Sequence, residues 1–252
     1  MALLELRRVE KYFGGLAAIG NLDMDVNEGE IRALIGPNGA GKTTVFNIVS
    51  GFYPVTRGNI RYSGEDITNL KPHQIAKRGL IRTFQLTTLF MELDVLRGIM
   101  VARHLHAGMS FTKRLFATAE EKENKEKCLE IIEFLGLGDL KDELACNLPH
   151  GHQRILGIAL ALAAEPKLLL LDEPVTGMNP IETQHMMGLI RQIRDQGVTI
   201  LLVEHDMKAV MGFSDFVTVM DFGKKITEGL PQEISRDERV IEAYLGREEL
   251  VA

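Results

Sequence analysis

The chain has 252 residues, of which 45% are hydrophobic, so it can bury a sizeable core in one domain or two intimate ones. Its net charge of −6 argues against a nucleic-acid partner, because proteins that bind nucleic acid usually carry a basic footprint. The two cysteines lack metal-ligand spacing and predict reduced thiols, and no apolar run reaches the roughly 18 residues that span a bilayer. These features predict a cytoplasmic protein whose role at a membrane would depend on a partner.

Residues 3–31 predict strands joined by turns. Leu22, Met24 and Val26 alternate with polar residues, which is the period-two pattern of a half-buried strand. Alternating strands of this kind, directly before the glycine-rich motif at residues 36–43, predict an antiparallel flap beside a parallel sheet. For the aromatic pair Tyr12-Phe13, core packing is the interpretation favoured by the residues alone, and stacking on a nucleotide base is the alternative.

Residues 36–43 match the pattern G-x-x-x-x-G-K-[ST] of a phosphate-binding loop. The apolar run 31–35 before them predicts a buried strand, and residues 44–49 after them predict a helix. The glycines let successive N–H groups point at an anion, and the helix adds the positive end of its dipole. Lys42 can reach the β- and γ-phosphates, and the Thr43 hydroxyl can ligate Mg²⁺. The predicted phosphate-binding residues are Gly36, Pro37, Asn38, Gly39, Ala40, Gly41, Lys42, Thr43 and Thr44.

Residues 90–145 differ in character and predict a helical insert. The segment 113–127 is heavily charged, and Cys128 begins an apolar stripe at helical spacing. Another helix is predicted to open at residues 148–154. His150 and His152 lie two residues apart there, but the absence of a third ligand close in sequence favours a helix-start surface over a metal site.

Four consecutive leucines at 168–171 predict a strand buried on both faces, and Asp172 and Glu173 follow directly. Carboxylates at that end of a strand lie where ligands bind in open α/β sheets, so Asp172 is predicted to hold Mg²⁺. Glu173 is predicted to orient or deprotonate the attacking water. A third buried strand at 198–203 carries His205 at its end, where a histidine can contact a γ-phosphate. Further strand, turn and short-helix patterns follow at 216–220, 221–223 and 231–244.

The phosphate loop, Gln85, the helix start at 148–153, Asp172-Glu173 and His205 occur in one fixed order. That order resembles the ATP-binding subunits of ABC transporters over essentially the whole chain. The resemblance implies an α/β fold: a phosphate-loop NTPase core with a mostly parallel sheet, an antiparallel β flap and a helical subdomain. It implies a single domain over 1–252, with 1–85 and 161–252 as the core and about 86–160 as the helical subdomain.

The same resemblance assigns roles to residues around ATP and Mg²⁺. Phe13 (or Tyr12) would stack on adenine, and Gln85 would link the γ-phosphate and Mg²⁺ to the helical subdomain. Residues 177–179 would fall in a loop that crosses a dimer interface. Two copies would sandwich two MgATP, each offering its signature to the ATP of the other. The implied catalytic residues are Glu173, His205, Gln85 and Lys42, the metal ligands Thr43, Gln85 and Asp172, and the signature residues Pro149, His150, Gly151 and His152.

Five segments look more specifically like the larger ATPase subunit of branched-chain amino-acid importers: residues 13–16, 82–85, 172–174, 204–207 and 243–246. This likeness implies ATP-driven import through separate membrane-spanning permease subunits on the inner face of the cell membrane. A second ATPase subunit, identical or different, and indirectly a solute-binding protein would complete the assembly.

The signature departs from the family pattern. Pro149 replaces its serine and His152 its glutamine, while Gly157 and Leu160 stand where the family has Glu and Arg. One alternative is therefore a degenerate subunit that binds ATP and hydrolyses it weakly. Another is a non-transport ABC ATPase, although the chain has neither a long coiled-coil insert nor a tandem duplication.

Overall fold

A computed structural model of the chain describes residues 1–83, 91–107, 117–205 and 207–248. The chain divides into two compact units, one formed by Met1–Leu80 with Lys167–Ala252 and the other by Ile81–Pro166. The strands are β1 (Ala2–Phe13), β2 (Leu16–Asn27), β3 (Ile31–Ile35), β4 (Arg57–Tyr62), β5 (Glu65–Asp66), β6 (Leu80–Arg82), β7 (Leu168–Asp172), β8 (Thr199–Val203), β9 (Phe216–Asp221) and β10 (Lys224–Gly229).

Helices connect these strands. They are α1 (Lys42–Val49), α2 (Pro72–Ala76), α3 (Val95–Ala107), α4 (Ala117–Phe134), α5 (His150–Leu162), α6 (Pro180–Asp195), α7 (Met207–Met211), α8 (Pro231–Ile234) and α9 (Glu238–Glu248). None of the helices in the described ranges is long and apolar enough to cross a bilayer.

The first unit contains an antiparallel sheet in the order β2–β1–β4–β5. β1 and β2 form a long hairpin that closes where Phe13 pairs with Leu16. Leu22, Met24 and Val26 are buried on one face of β2, as their alternation predicts. The predicted flap is therefore confirmed, and the structure adds β4 to it through pairs such as Glu5 with Arg61.

The other sheet has the order β10–β9–β3–β8–β7–β6. β3 runs parallel to both β8 and β9, β7 runs parallel to β8, and only β10 is antiparallel to its neighbour among the pairs described. Every residue of β3 and β8 is buried, as expected for parallel strands covered on both faces. The predicted α/β class with a mostly parallel sheet is confirmed. As a result, the carboxyl ends of β3, β7 and β8 meet at one edge of the sheet.

The second unit is built from helices. Cys128 and Ile132 are fully buried on one face of α4, and Leu135 remains buried just past the end of that helix. Burial raises the pKa of the Cys128 thiol. Arg103 on α3 donates hydrogen bonds to the Asn124 side chain at 3.0 Å and to the Glu165 carboxylate at 2.9 Å. The sequence places the helical subdomain at about 86–160, and this compact unit spans 81–166.

Candidate nucleotide site

The phosphate-binding loop follows β3 and leads directly into α1. Gly36 leaves the strand with φ of +151°, and a Cβ at this position would lie 2.1 Å from the carbonyl oxygen of Met220. Only glycine allows the loop to pass this close to the neighbouring strand β9. The Lys42 ammonium is buried and donates hydrogen bonds to the carbonyl oxygens of Gly36 at 2.6 Å and Pro37 at 3.1 Å. The backbone of the loop therefore surrounds the ammonium group of Lys42.

The rest of the loop leads the chain into α1. Gly41 is the residue before the first turn of α1 and has φ of +102°, so the chain turns sharply into the helix. Thr43 is exposed and Thr44 half-buried in that first turn, while Asn38 and Gly39 are exposed and Ala40 is buried. The free N–H groups of a helix start, aligned with its dipole, favour an anion at this position.

The turn between β9 and β10 supports the loop from one side. The N–H of Gly223 donates to the carbonyl of Ala40 at 3.0 Å, and its own carbonyl accepts from the N–H of Gly20 at 2.8 Å. Phe222 and Gly223 both have positive φ, as a two-residue hairpin turn requires, so the predicted turn at 221–223 is confirmed. One residue therefore joins the phosphate loop to strand β2 of the flap.

Asp172, Glu173 and His205 lie at the adjoining strand ends. Asp172 ends β7 and pairs in register with Val203 of β8. The Glu173 N–H donates to the Val203 carbonyl at 3.0 Å, and a carboxylate oxygen of Glu173 lies 3.6 Å from Nδ1 of His205. Glu173 has φ of +47°, a conformation that non-glycine residues rarely adopt outside sites that hold them there. The fold therefore places these three residues at one edge of the sheet, and their roles stay predictions.

Glu204 is a residue of this edge that the sequence did not single out. Its side chain is fully buried, and its carboxylate accepts hydrogen bonds from the N–H of Val175 at 3.0 Å and of His205 at 3.3 Å. Burial raises the pKa of Glu204, and the two amide hydrogen bonds oppose that shift. The signal was present in the sequence as a glutamate that follows six apolar or β-branched residues directly, but the sequence alone does not distinguish a buried carboxylate from an exposed one.

The aromatic pair of the flap is partly exposed. Tyr12 is 40% exposed and Phe13 is 42% exposed, so the core-packing interpretation is wrong for both rings. Phe13 packs edge-on against Tyr53, with 5.3 Å between ring centroids, and the Lys11 ammonium lies 4.8 Å from the centre of the Phe13 ring. Lys11 and Tyr53 therefore both contact the Phe13 ring. Lys11 is close to Phe13 in the sequence, but Tyr53 is far from it, and no local pattern predicts the contact with Tyr53.

The C-terminal helix α9 brings Tyr244 to the phosphate loop. Its hydroxyl is buried close to the N–H of Gly36, but the geometry falls short of a hydrogen bond. Burial raises the pKa of Tyr244 to about 12. A phenol from the end of the chain therefore lies beside the first residue of the loop.

The signature residues lie in the second unit. Pro149 is the N-cap residue of α5 and makes no side-chain capping hydrogen bond. His150 is exposed, and Gly151 and His152 are half-buried in the first turn of that helix. No cluster of three or more His, Cys, Asp or Glu side chains suited to a metal occurs in the described part of the chain. Gln85 lies in the segment 84–90, outside the described residues.

A phosphate loop after β3 and carboxylates at the end of β7 define a phosphate-loop NTPase. The ABC transporter family model matches residues 19–176, and the model of the branched-chain amino acid ATP-binding cassette transporter family matches residues 224–249. The chain therefore belongs to the ABC transporter family, as its ATP-binding subunit, and the resemblance and the enzyme class predicted from the sequence, an ATPase, are confirmed.

Curated relatives and solved structures agree with this assignment over nearly the whole chain. The high-affinity branched-chain amino acid transport ATP-binding protein BraF of Pseudomonas aeruginosa is 41% identical over 249 residues, covering 97% of this chain and 98% of its own. LivG of Escherichia coli, described in the same words, is 40% identical with the same coverage. An ATP-binding cassette of an ABC transporter in its ADP conformation superposes with a TM-score of 0.88 at 32% identity, covering 98% of this chain and 99% of that one.

Proposed function

We propose that this chain hydrolyses MgATP to drive the import of branched-chain amino acids through separate permease subunits. The observation that carries the proposal is the grouping of Glu173 and His205 at one sheet edge with the loop that holds Lys42. The solute class is supported by the relatives at 40–41% identity, which are branched-chain amino acid transport ATP-binding proteins, and by the C-terminal family match.

The residues present fit a magnesium nucleotide. Mg²⁺ prefers oxygen ligands and is usually held by one or two carboxylates together with substrate phosphates. The Asp172 carboxylate and the Thr43 hydroxyl supply such oxygens, and Gln85 is a third proposed ligand. Mg²⁺ would supply charge neutralisation at the phosphates of the bound ATP.

Each proposed catalytic side chain acts on the γ-phosphate or the water that attacks it. Lys42 would exchange its two carbonyl acceptors for phosphate oxygens and balance their negative charge. Positioning and charge stabilisation of this kind supply almost all of the catalysis in phosphoryl transfer. Glu173 would orient and polarise the water, and His205, 3.6 Å away, would contact the γ-phosphate. Phe13 would stack on adenine, with Tyr53 and Lys11 supporting its ring.

We propose that the functional assembly contains two ATPase subunits, identical or different, and permease subunits that hold them on the cytoplasmic face of the membrane. The N–H groups of Gly151 and His152 at the start of α5 would meet the γ-phosphate bound to the other copy. A solute-binding protein would deliver the amino acid to the permeases, and no role for nucleic acid is proposed.

The test measures ATP binding and hydrolysis by the purified chain and uptake of labelled leucine by cells in which the variant replaces the parent. We expect Lys42→Ala to lose ATP binding, hydrolysis and uptake together. Glu173→Gln should keep ATP binding but lose turnover by about 10²–10⁴-fold, as expected when a general base is removed. Lys77→Ala, at an exposed lysine at the end of α2, is the matched control and should behave like the parent.

Two results would contradict the proposal separately. Undiminished hydrolysis by Glu173→Gln would move the catalytic role to another residue. Loss of arginine uptake instead of leucine uptake in the Glu173→Gln strain would overturn the proposed solute class, while the assignment of the chain as an ATPase would stand.

A further inference from the structure

Glu204 is a carboxylate that the proposed reaction does not use, although it lies between two residues that it does use. Its side chain has no solvent exposure, whereas glutamate is almost never fully buried unless it is paired. Among the described residues, His205 is the only basic side chain within 4 Å, with Nδ1 4.0 Å from the carboxylate. Burial of a carboxylate is unfavourable unless hydrogen bonds compensate for the lost water, and here two backbone N–H groups supply them.

Its two hydrogen bonds tie two strand ends together. One carboxylate oxygen accepts from the N–H of Val175, two residues after Glu173 and beyond the end of β7. The other accepts from the N–H of His205, which follows β8. The ordinary register of the sheet stops at Asp172 and Val203, so beyond that pair the Glu204 carboxylate continues the connection between the strands.

The residues on either side of this connection, Glu173 and His205, are those whose positions the proposed reaction requires. Glu173 has a left-handed backbone, donates its N–H to the Val203 carbonyl at 3.0 Å, and accepts a hydrogen bond from the Thr176 hydroxyl at 3.2 Å. A non-glycine residue keeps such a conformation only where its surroundings enforce it. The Val175–Glu204 hydrogen bond supplies one such constraint immediately after the turn.

We propose that Glu204 is a positioning residue for ATP hydrolysis, which fixes the turn at Glu173 against the backbone of His205 so that both side chains face the γ-phosphate together. This inference rests on the proposed function. Catalysis by positioning is sensitive to small displacements, since a misplacement of about 1 Å can cost about 100-fold in rate. The ATP-binding loop is not part of the connection, so nucleotide affinity should be independent of it.

The test is steady-state ATP hydrolysis by the purified chain carrying Glu204→Gln. Glutamine keeps the shape but has one acceptor oxygen, so it can satisfy only one of the two N–H groups. We expect kcat to fall about 10- to 100-fold while KM for ATP stays within about twofold. Glu233→Gln is the matched control, because the Glu233 carboxylate also accepts from a backbone N–H, that of Leu230 at 2.9 Å, and it should leave kcat unchanged.

A double-mutant cycle separates positioning from a general loss of structure. If Glu204 acts by fixing the turn that positions the Glu173 carboxylate, the loss caused by Glu204→Gln should shrink to about twofold or less in a Glu173→Gln background, where that carboxylate is already absent. An equal loss in both backgrounds, or a parent-like kcat for Glu204→Gln, would overturn the inference. Should Glu204→Gln fail to fold, Glu204→Asp decides the matter, since it keeps the charge but withdraws the carboxylate, and a parent-like kcat in that variant would also overturn it.

Glu173→Gln in the same experiment distinguishes this inference from the proposed function. Normal turnover by Glu173→Gln would mean that the catalytic assignment itself is wrong. If Glu173→Gln is inactive and Glu204→Gln has normal turnover, only the positioning role of Glu204 fails.

Discussion

Tyr244 links the stability of the folded chain to alkaline pH. Its buried hydroxyl has a pKa raised to about 12, whereas an unfolded chain releases this proton near its ordinary value of about 10. Above about pH 10 the unfolded state therefore binds fewer protons than the folded state. The free energy of unfolding should consequently fall as pH rises from about 10 to about 12.

Tyr244→Phe should remove this loss of stability at alkaline pH. At neutral pH the variant should be as stable as the parent or slightly more stable, because it no longer buries a hydroxyl that lacks a hydrogen bond. Between about pH 9 and about pH 11 it should lose about 1 kcal/mol less than the parent, measured by urea unfolding. Tyr12→Phe, at a ring that is 40% exposed, is the control. Equal pH dependence in the parent and Tyr244→Phe would contradict the prediction.

Helix α6 begins with a capping box that ends the loop after Glu173. The Asn179 side chain accepts from the N–H groups of Ile181 at 2.9 Å and Glu182 at 3.0 Å, and the Glu182 carboxylate accepts from the Asn179 N–H at 2.9 Å. The resemblance places Asn179 near a dimer interface, and the structure gives it a second role within its own helix. Asn179 therefore satisfies donors that would otherwise lack partners.

Asn179→Ala should lower the free energy of unfolding by about 1 kcal/mol, the usual loss when an N-cap side chain is removed. Urea unfolding of the isolated chain measures this directly, without a dimer partner. Gln184→Ala lies at an exposed position of the same helix and should change stability by less than about half that amount. Equal stability of the two variants would show that the cap contributes nothing.

In the proposed dimer, closure would depend on the signature that each copy offers to the other. Pro149 caps α5 without a side-chain hydrogen bond, so only backbone N–H groups and the histidines remain to meet a phosphate. Pro149→Ser with His152→Gln should tighten ATP-dependent dimerisation by about one to two powers of ten, through one added charge-assisted hydrogen bond. The measurement is analytical ultracentrifugation in a Glu173→Gln background, which keeps ATP intact. An unchanged dimer constant would show that the N–H groups suffice.

The sequence predicted those parts of the molecule that depend on local patterns. Strand β7 was predictable because a run of four leucines is typical of a strand buried on both faces. The role of Lys42 could be predicted because the residues of its motif are contiguous in the sequence. Strand β10 was not predicted, since Lys224–Gly229 is a mostly half-exposed edge whose polar residues resemble a loop.

The remaining site residues depend on long-range packing. The burial of Glu204 follows from its contact with Val175, 29 residues earlier, and Tyr244 reaches the loop from the other end of the chain. Neither contact can therefore be predicted from a short stretch of sequence. The roles of Gln85 and of the signature residues stay predictions.

The Gly223 turn has a consequence for engineering the chain. A short hairpin tip with Phe222 75% exposed resembles the surface sites where new termini, tags or inserted domains are usually tolerated. Here the backbone of the tip bonds to Ala40 and to Gly20, and a Cβ on Gly223 would lie 2.6 Å from the carbonyl oxygen of Ala18. Circular permutation at this tip would therefore separate the flap from the phosphate loop, although the break itself would lie at the surface.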